Sequence, residues 1–238
     1  MEIRIHTTND ELNIAFTSWL KEVIKDKESV TIALSGGSTP KSLFQYWANL
    51  QNDEIDWKKF KIFWGDERCV APTDDESNYK MTKETLLDCI PVPEENIFRI
   101  RGEEDPEKEI DRYSEILRRE VRIINRIPSF DIVMLGMGSD GHTASIFPDQ
   151  MKLWDSEDWC IEAIHPESGQ KRISLTGKVI NNTQNAVFLV TGISKAEKVN
   201  EIFKHPEESF RKYPAARVRP TDGTLIWFVD EDALYLLN

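Results

Sequence analysis

The chain has 238 residues, enough for one large domain or two small ones, and its 39% hydrophobic content with seven tryptophans excludes a disordered protein. No apolar run approaches the ~20 residues of a membrane-spanning helix, and the N-terminus lacks the pattern of a secretion signal. The net charge of −12 disfavours nucleic acid or an anionic membrane as a partner, so an anionic substrate would need local cations and backbone amides.

Strand and helix signals alternate along the chain. In the first half, the predicted elements are a strand over residues 1–6, a helix opening at Thr8, a strand over 29–34, a helix opening at Thr39, a strand over 60–64 and helices over 77–89 and 106–124. In the second half, they are strands over 130–135, 159–164, 172–175 and 185–190, a helix opening at Ser194 and a strand over 225–229. This alternation predicts an α/β protein whose mostly parallel sheet is covered on both faces. Without a linker or repeat, residues 1–238 are expected to form a single domain.

Capping signals place the starts of three of these helices. Thr8-x-x-Glu11 and Ser194-x-x-Glu197 both match the capping box, in which a hydroxyl and a carboxylate satisfy the first free amides of a helix. Thr39 is predicted to cap the helix after residues 29–34, with Pro40 at its first position.

The cysteines and histidines show no spacing typical of a disulfide framework or a metal site. Cys69, Cys89 and Cys160 are an odd set without a C-x-x-C pair, which fits a reducing compartment. We therefore expect a cytoplasmic protein with no metal and no cofactor, and we expect it to be a monomer or weak homo-oligomer.

The central motif of the sequence lies in residues 130–148. An apolar run over 130–135 is typical of a buried parallel strand, and the segment Gly136-Met137-Gly138-Ser139-Asp140-Gly141-His142 follows it. Glycines at a strand end let the backbone turn and approach a ligand closely. A histidine there would face the carboxyl edge of the sheet, where open α/β sheets bind ligands.

The same residues formally match the dinucleotide-binding fingerprint, as Gly136-x-Gly138-x-x-Gly141. That fingerprint opens a full crossover helix, whereas Pro148 would stop a helix here after about five residues. The context therefore argues against a dinucleotide site.

Polar groups follow two early strands as well. Residues 35–39 (Ser35, Gly36, Gly37, Ser38 and Thr39) combine glycines with a helix start, which suits a phosphate but also an ordinary capped turn. In Gly65-Asp66-Glu67-Arg68, two acids and a guanidinium group could bind the oxygens of a sugar. Alternatively, this segment is a surface turn with a solvated ion pair.

Two further groups complete the predicted rim. In Asp140-Gly141-His142, the histidine could act as a base near neutral pH. Alternatively, the aspartate caps a turn and the histidine is an ordinary surface residue. Lys171-Arg172 and Gly192-x-Ser194-Lys195 supply cations. A lysine in the first turn of a helix opposes the helix dipole unless an anion shares the site, although a solvated surface lysine remains the alternative.

Taken together, these motifs resemble the 6-phosphogluconolactonase family, in the superfamily shared with glucosamine-6-phosphate deaminase/isomerase. The matching segments occur in the family's order over most of the chain, at residues 33–40, 63–68, 75–79, 135–148, 172–175 and 192–196. The resemblance implies a Rossmann-like three-layer α/β/α fold with a mostly parallel open sheet, of the NagB/RpiA/CoA-transferase-like kind. It also implies hydrolysis of 6-phospho-D-glucono-1,5-lactone, the second step of the pentose phosphate pathway.

The resemblance also implies roles for individual residues. His142 would be the general base that activates water, Asp140 would orient it, and Arg68 would contact the substrate. The expected substrate and phosphate contacts are Ser35, Gly36, Gly37, Ser38, Asp66, Lys195, and either Lys171 or Arg172.

Two other functions remain open from the sequence. Deaminases of this superfamily usually carry Asp-Glu-Tyr where Asp66-Glu67-Arg68 stands. They also continue from the histidine into a segment ending Asn-Glu-Pro, where this chain has Ser145-Ile146-Phe147-Pro148. The missing acid disfavours a deaminase/isomerase. A non-catalytic sugar-phosphate sensor is disfavoured because it would not need a histidine at the strand tip.

Overall fold

A seven-stranded parallel sheet forms the centre of the protein in the computed structural model, which describes residues 1–51 and 54–237. Its strands are β1 (Glu2–His6), β2 (Val30–Leu34), β3 (Phe60–Trp64), β5 (Ile97–Phe98), β8 (Ile132–Leu135), β11 (Asn185–Val190) and β12 (Thr224–Asp230). They lie in the order β1-β12-β11-β8-β2-β3-β5, and every neighbouring pair is parallel. The predicted mostly parallel α/β architecture is confirmed.

A second, three-stranded antiparallel sheet lies beside the first. It consists of β4 (Asp66–Arg68), β10 (Lys171–Leu175) and β9 (Cys160–Ile164), in that order. Residues 159–164 and 172–175 were predicted as strands, but nothing in their pattern distinguishes this sheet from the parallel one. A hairpin, β6 (Ile123–Ile124) with β7 (Ile127–Pro128), completes the strands of the described ranges.

Helices flank the central sheet. They are α1 (Asn9–Ile24), α2 (Ser38–Ala48), α3 (Asn78–Thr82), α4 (Pro106–Glu120), α5 (Gly177–Ile180), α6 (Ala196–Lys204) and α7 (Pro206–Lys212). A π-helical turn, Lys83–Leu87, continues α3, so the predicted helix over 77–89 is present but irregular. Among the described residues, none of the helices combines the length and the apolar character needed to cross a membrane.

Three of the predicted helix boundaries are wrong. Thr39 does not cap α2: the cap is Gly37, whose φ of +106° favours glycine, and Pro40 is the third helical residue rather than the first. The helix over 106–124 ends at Glu120, and Ile124 joins the β6–β7 hairpin. The second capping box does not form, because a 3₁₀ turn over Ile193–Lys195 precedes α6.

The strand order contains one switch point, between β2 and β8. From β2 the chain proceeds through β3 to β5 on one side, and from β8 it proceeds through β11 to β12 on the other. Loops that leave the carboxyl ends of β2 and β8 therefore diverge and open a crevice, the usual ligand site of an open α/β sheet. The two loops are Ser35-Gly36-Gly37 and the segment that carries His142.

Candidate active site

A cavity of about 200 Å³ occupies the crevice between the ends of β2 and β8. The lining residues are Ser35, Gly36, Gly37, Asp66, Arg68, Asn78, Gly136, Met137, Gly138, His142, Ala144, Arg172 and Lys195. Larger surface clefts exist elsewhere on the molecule. This one alone among the described clefts collects the loops that follow β2, β3, β8 and β11.

His142 and Asp140 form a hydrogen-bonded pair at this cavity. His142 Nδ1 lies 2.7 Å from Asp140 Oδ1, and the backbone N–H of His142 donates to the same oxygen at 3.1 Å. Burial raises the pKa of Asp140, but the hydrogen bonds and charge of His142 outweigh it and lower that pKa below its ordinary value. An ionised carboxylate only accepts, so Nδ1 carries the proton, and in the neutral imidazole Nε2 then presents its lone pair.

The turn that presents His142 depends on Gly138. Its N–H donates to the His142 carbonyl at 2.9 Å, and its own carbonyl accepts from the Gly141 N–H at 3.1 Å. A Cβ at position 138 would overlap the His142 ring and the Asp140 carboxylate. The next loop residue on the cavity wall, Ala144, has a φ of +49°, a left-handed conformation that costs a non-glycine residue about 1 kcal/mol or more.

On the opposite wall, the glycine loop offers backbone donors at the start of α2. The N–H groups of Gly36 and Gly37 make no hydrogen bond with any described residue. A larger residue at position 36 does not fit this packing, because its Cβ would collide with the side-chain amide of Asn78. Free amides at a helix start suit an anion.

Two arginines face each other across the small sheet. Arg68 on β4 is the direct antiparallel partner of Arg172 on β10, and both line the cavity. The buried Nε of each has no partner in the described part of the chain. Burial, with the charge of Arg68 second, lowers the pKa of the Arg172 guanidinium. Like charges in opposed positions destabilise a sheet, so the pair suits a bound anion.

Glu67 holds the segment that brings Arg68 to the cavity. Its carboxylate, 2% exposed, accepts hydrogen bonds from the backbone N–H groups of Arg68, Asn78 and Tyr79 and from the Ser77 hydroxyl. Burial raises the pKa of Glu67 although these donors oppose the shift. Interpretation of residues 65–68 as a surface turn is therefore wrong.

Asp66 lies on the cavity wall and is also fixed from behind. Its Oδ2 accepts from the Ser145 hydroxyl at 2.5 Å, and the Ser145 N–H donates to Ser174 Oγ at 3.1 Å. The Asn78 amide donates to the Asp66 carbonyl at 3.0 Å. These contacts join the segment after β3 to the histidine loop and to β10.

Lys195 contributes the last cation of the site. Burial lowers the pKa of its ammonium group, partly offset by the Asp140 carboxylate. Its Nζ makes no hydrogen bond or ion pair within residues 1–51 and 54–237, so the charge of this cavity-lining group is available to a ligand.

The structure places most of the predicted site residues together, with two exceptions. Lys171 is exposed and pairs with Glu162 at 3.1 Å, outside the cavity, so Arg172 is the basic residue of that pair on the wall. Ser38 is exposed on α2 and does not line the cavity. Sequence reasoning assigned no role to Asn78, although it lies in one of the matching segments. Its buried contact with Gly36 spans distant parts of the chain, and nothing local indicates it.

The described residues hold no group of three or more histidine, cysteine, aspartate or glutamate side chains arranged for a metal ion.

Comparison with known proteins agrees with this geometry. The family model described as glucosamine-6-phosphate isomerases/6-phosphogluconolactonase matches residues 7–227. A 6-phosphogluconolactonase of Haemophilus influenzae is 46% identical over 209 residues, 87% of this chain and 88% of that protein. One from Treponema pallidum is 44% identical over 186 residues, 78% of this chain and 77% of that protein. The solved 6-phosphogluconolactonase of Trypanosoma brucei superposes with a TM-score of 0.88 at 27% identity, covering 100% of this chain and 98% of that one.

Proposed function

Because the chain belongs to the family of glucosamine-6-phosphate isomerases and 6-phosphogluconolactonases, we propose that it hydrolyses 6-phospho-D-glucono-1,5-lactone to 6-phospho-D-gluconate. This reaction is the second step of the oxidative branch of the pentose phosphate pathway. The observation that carries the proposal is the pairing of His142 with Asp140 on the same cavity as three cations with free hydrogen-bonding capacity, Arg68, Arg172 and Lys195.

Substrate binding begins with charge. The chain has a net charge of −12, so long-range attraction does not bring a phosphorylated sugar to the site. The local groups do so: Arg172, Lys195 and the free amides of Gly36 and Gly37 bind the anionic end of the substrate. Fixing that end holds the lactone carbonyl near His142 and converts the attack into an effectively intramolecular step.

In the first chemical step, Nε2 of His142 takes a proton from water while the water oxygen forms a bond to C1 of the lactone. The carbonyl π electrons move to the carbonyl oxygen, and a tetrahedral oxyanion results. The Arg68 guanidinium, which lines the same cavity, stabilises that charge. Asp140 keeps the Nδ1 proton in place and stabilises the imidazolium.

In the second step the bond between C1 and the ring oxygen breaks. The electron pair of the oxyanion re-forms the carbonyl, and the imidazolium returns its proton to the departing ring oxygen, which becomes the 5-hydroxyl group. One water has been added across the ester. The new carboxylic acid ionises at neutral pH and releases one proton to solvent.

Proton release by the purified protein, corrected for spontaneous lactone opening, tests the function directly. We expect His142→Gln to lower kcat by about 10²–10⁴-fold, the usual contribution of a general base, without a change in melting temperature. His205→Gln, at an exposed histidine outside the cavity, is the matched control and should retain wild-type turnover.

The outcomes separate the competing functions. Undiminished turnover in His142→Gln would remove this residue from the role of base. Release of ammonia from glucosamine 6-phosphate would instead identify a deaminase/isomerase. Tight binding of 6-phosphogluconate without any turnover of the lactone would identify a sugar-phosphate sensor.

We further propose that residues 1–238 act as one domain in the cytoplasm, as a monomer or weak homo-oligomer that binds neither nucleic acid nor membranes. The three free cysteines and the acidic net charge support this assignment. Sedimentation velocity over a range of concentrations tests the oligomeric state, and a stable tetramer would contradict it.

A further inference from the structure

Phe147 is fully buried but does not belong to the contiguous apolar core. Its exposed fraction is 0%, yet the core cluster, which includes its neighbour Ile146, omits it. The ring instead lies among polar groups of the candidate site.

Three charged or titratable side chains surround this ring. The His142 imidazole lies 4.7 Å from it, centroid to centroid, with the planes inclined at 50°. The Arg172 guanidinium lies over the ring at 5.5 Å from the centroid. The His165 imidazole meets it at 5.1 Å in a T-shaped arrangement. One ring therefore contacts both the base and a cation of the cavity.

An aromatic face carries partial negative charge and attracts cations, most strongly when the contact is removed from water. Arg172 is permanently charged, whereas His142 becomes a cation only after it accepts a proton. We propose that Phe147 is a positioning residue for the lactone hydrolysis assigned above. Its ring sets the spacing between His142 and Arg172, and it stabilises the imidazolium that the first chemical step creates.

The electrostatic surroundings give this contact its importance. On the cavity side His142 shares its wall with Arg68, Arg172 and Lys195, all of which disfavour a further positive charge. The carboxylates of Asp140 and Asp66 favour it, and the former bonds His142 directly. His165 also contacts the Phe147 ring. Phe147 adds attraction for a cation without adding a formal charge that would repel the substrate phosphate.

The decisive experiment keeps the shape of the ring and removes its negative face. Phe147 is replaced by phenylalanine analogues carrying one, two, three and five ring fluorines, which weaken the cation–π attraction stepwise. Two quantities are followed: the His142 titration by NMR in the free protein, and the acidic limb of the pH profile of kcat/KM.

We expect the acidic limb of the kcat/KM profile to move to lower pH by about half a unit to one unit across the series, since the imidazolium loses support. The His142 signal in the NMR titration should move in the same direction, while kcat falls about three- to tenfold. Phe147→Leu should show these changes and also a higher KM, because Arg172 then loses its contact with the aromatic ring. The same fluorinated residues at Phe188, which is 0% exposed and stacks on Trp227, are the control and should change none of these values.

A His142 pKa that does not change with fluorination would overturn the proposal, even if Phe147→Leu were inactive, since that result would indicate a purely structural role. The titration does not depend on turnover. A wild-type protein that fails to hydrolyse the lactone would overturn the function and the catalytic part of this inference, whereas normal wild-type hydrolysis with a fixed pKa would overturn the role of Phe147 alone.

Discussion

Arg68 and Arg172 occupy directly opposed positions on two antiparallel strands, and the buried Nε of each lacks a hydrogen-bond partner among the described residues. Two guanidinium groups in this arrangement repel each other in the free protein. A bound substrate offsets the repulsion, because its phosphate accepts hydrogen bonds from Arg172 and the oxyanion that forms at C1 accepts from Arg68. The arrangement therefore lowers the stability of the unliganded protein and favours the binding of an anion.

Removing one of these charges should weaken ligand binding without lowering the stability of the free protein. We expect Arg172→Met to weaken binding of 6-phosphogluconate by about ten- to a hundredfold, the effect of losing a charged hydrogen bond. The melting temperature of the free variant should equal or exceed that of the wild type, because the repulsion from Arg68 is gone. Calorimetric titration and thermal unfolding measure the two quantities.

Lys171→Met is the matched control for that variant. Lys171 adjoins Arg172 in sequence but is exposed, pairs with Glu162 and lies outside the cavity. It should bind 6-phosphogluconate as the wild type does. Weaker binding in Lys171→Met than in Arg172→Met would contradict our choice of Arg172 as the substrate contact.

Charge on Asp140 should influence both the rate and its pH dependence. Asp140→Asn leaves an oxygen that can accept from His142 Nδ1, but it removes the negative charge that stabilises the imidazolium. We expect kcat to fall by about tenfold or more. The acidic limb of the kcat/KM profile should move to lower pH, because a neighbouring carboxylate no longer stabilises the imidazolium. A fall in kcat with an unmoved acidic limb would assign Asp140 to loop structure alone.

Lys195 should make phosphate binding sensitive to alkaline pH. Burial lowers the pKa of its ammonium group, so the charge is lost as pH rises through a value below the ordinary lysine pKa of ~10.4. Affinity for 6-phosphogluconate should therefore decline over that alkaline range in the wild type. In Lys195→Arg it should stay constant, because a guanidinium remains charged.

The unphosphorylated product, gluconate, is the control for Lys195. Its binding should show no corresponding decline, and Lys195→Ala should weaken binding of 6-phosphogluconate more than binding of gluconate. Equal losses for the two ligands would show that Lys195 does not contact the phosphate.

Gly138 should be indispensable for turnover. A methyl group at this position overlaps the His142 ring and the Asp140 carboxylate, so Gly138→Ala must displace the pair. We expect kcat to fall by about a hundredfold, the cost of an ångström-scale misplacement, with a smaller effect on KM. Gly65→Ala is the control, since a Cβ there meets only the Leu34 carbonyl oxygen at an ordinary 3.6 Å. Wild-type kcat in Gly138→Ala would contradict the observed geometry of the turn.

Local patterns were sufficient to predict the main elements of the fold. Apolar runs identified the buried strands β2, β3, β8 and β11, because a strand covered on both faces is apolar along most of its length. Helix ends were predicted less well. Thr39 has the right chemistry for a cap, but its hydroxyl lies 2.7 Å from that of Thr191 on a distant loop, a contact that no local pattern indicates.

What the sequence by itself determined is the set of reactive groups and the strand ends that carry them. The loop after β8 contains glycines, an acid and a histidine. These residue types define its chemistry, because glycine adopts backbone conformations that other residues avoid and histidine can exchange a proton near neutral pH. Only the tertiary structure decided which groups meet. Pairing of β4 with β10 set Arg68 against Arg172 and left Lys171 outside, and folding placed Phe147 in contact with both His142 and Arg172. The contacts of Arg172 with Arg68 and with Phe147 join residues far apart in the chain, so they depend on strand pairing and loop packing in the folded protein and not on any local pattern.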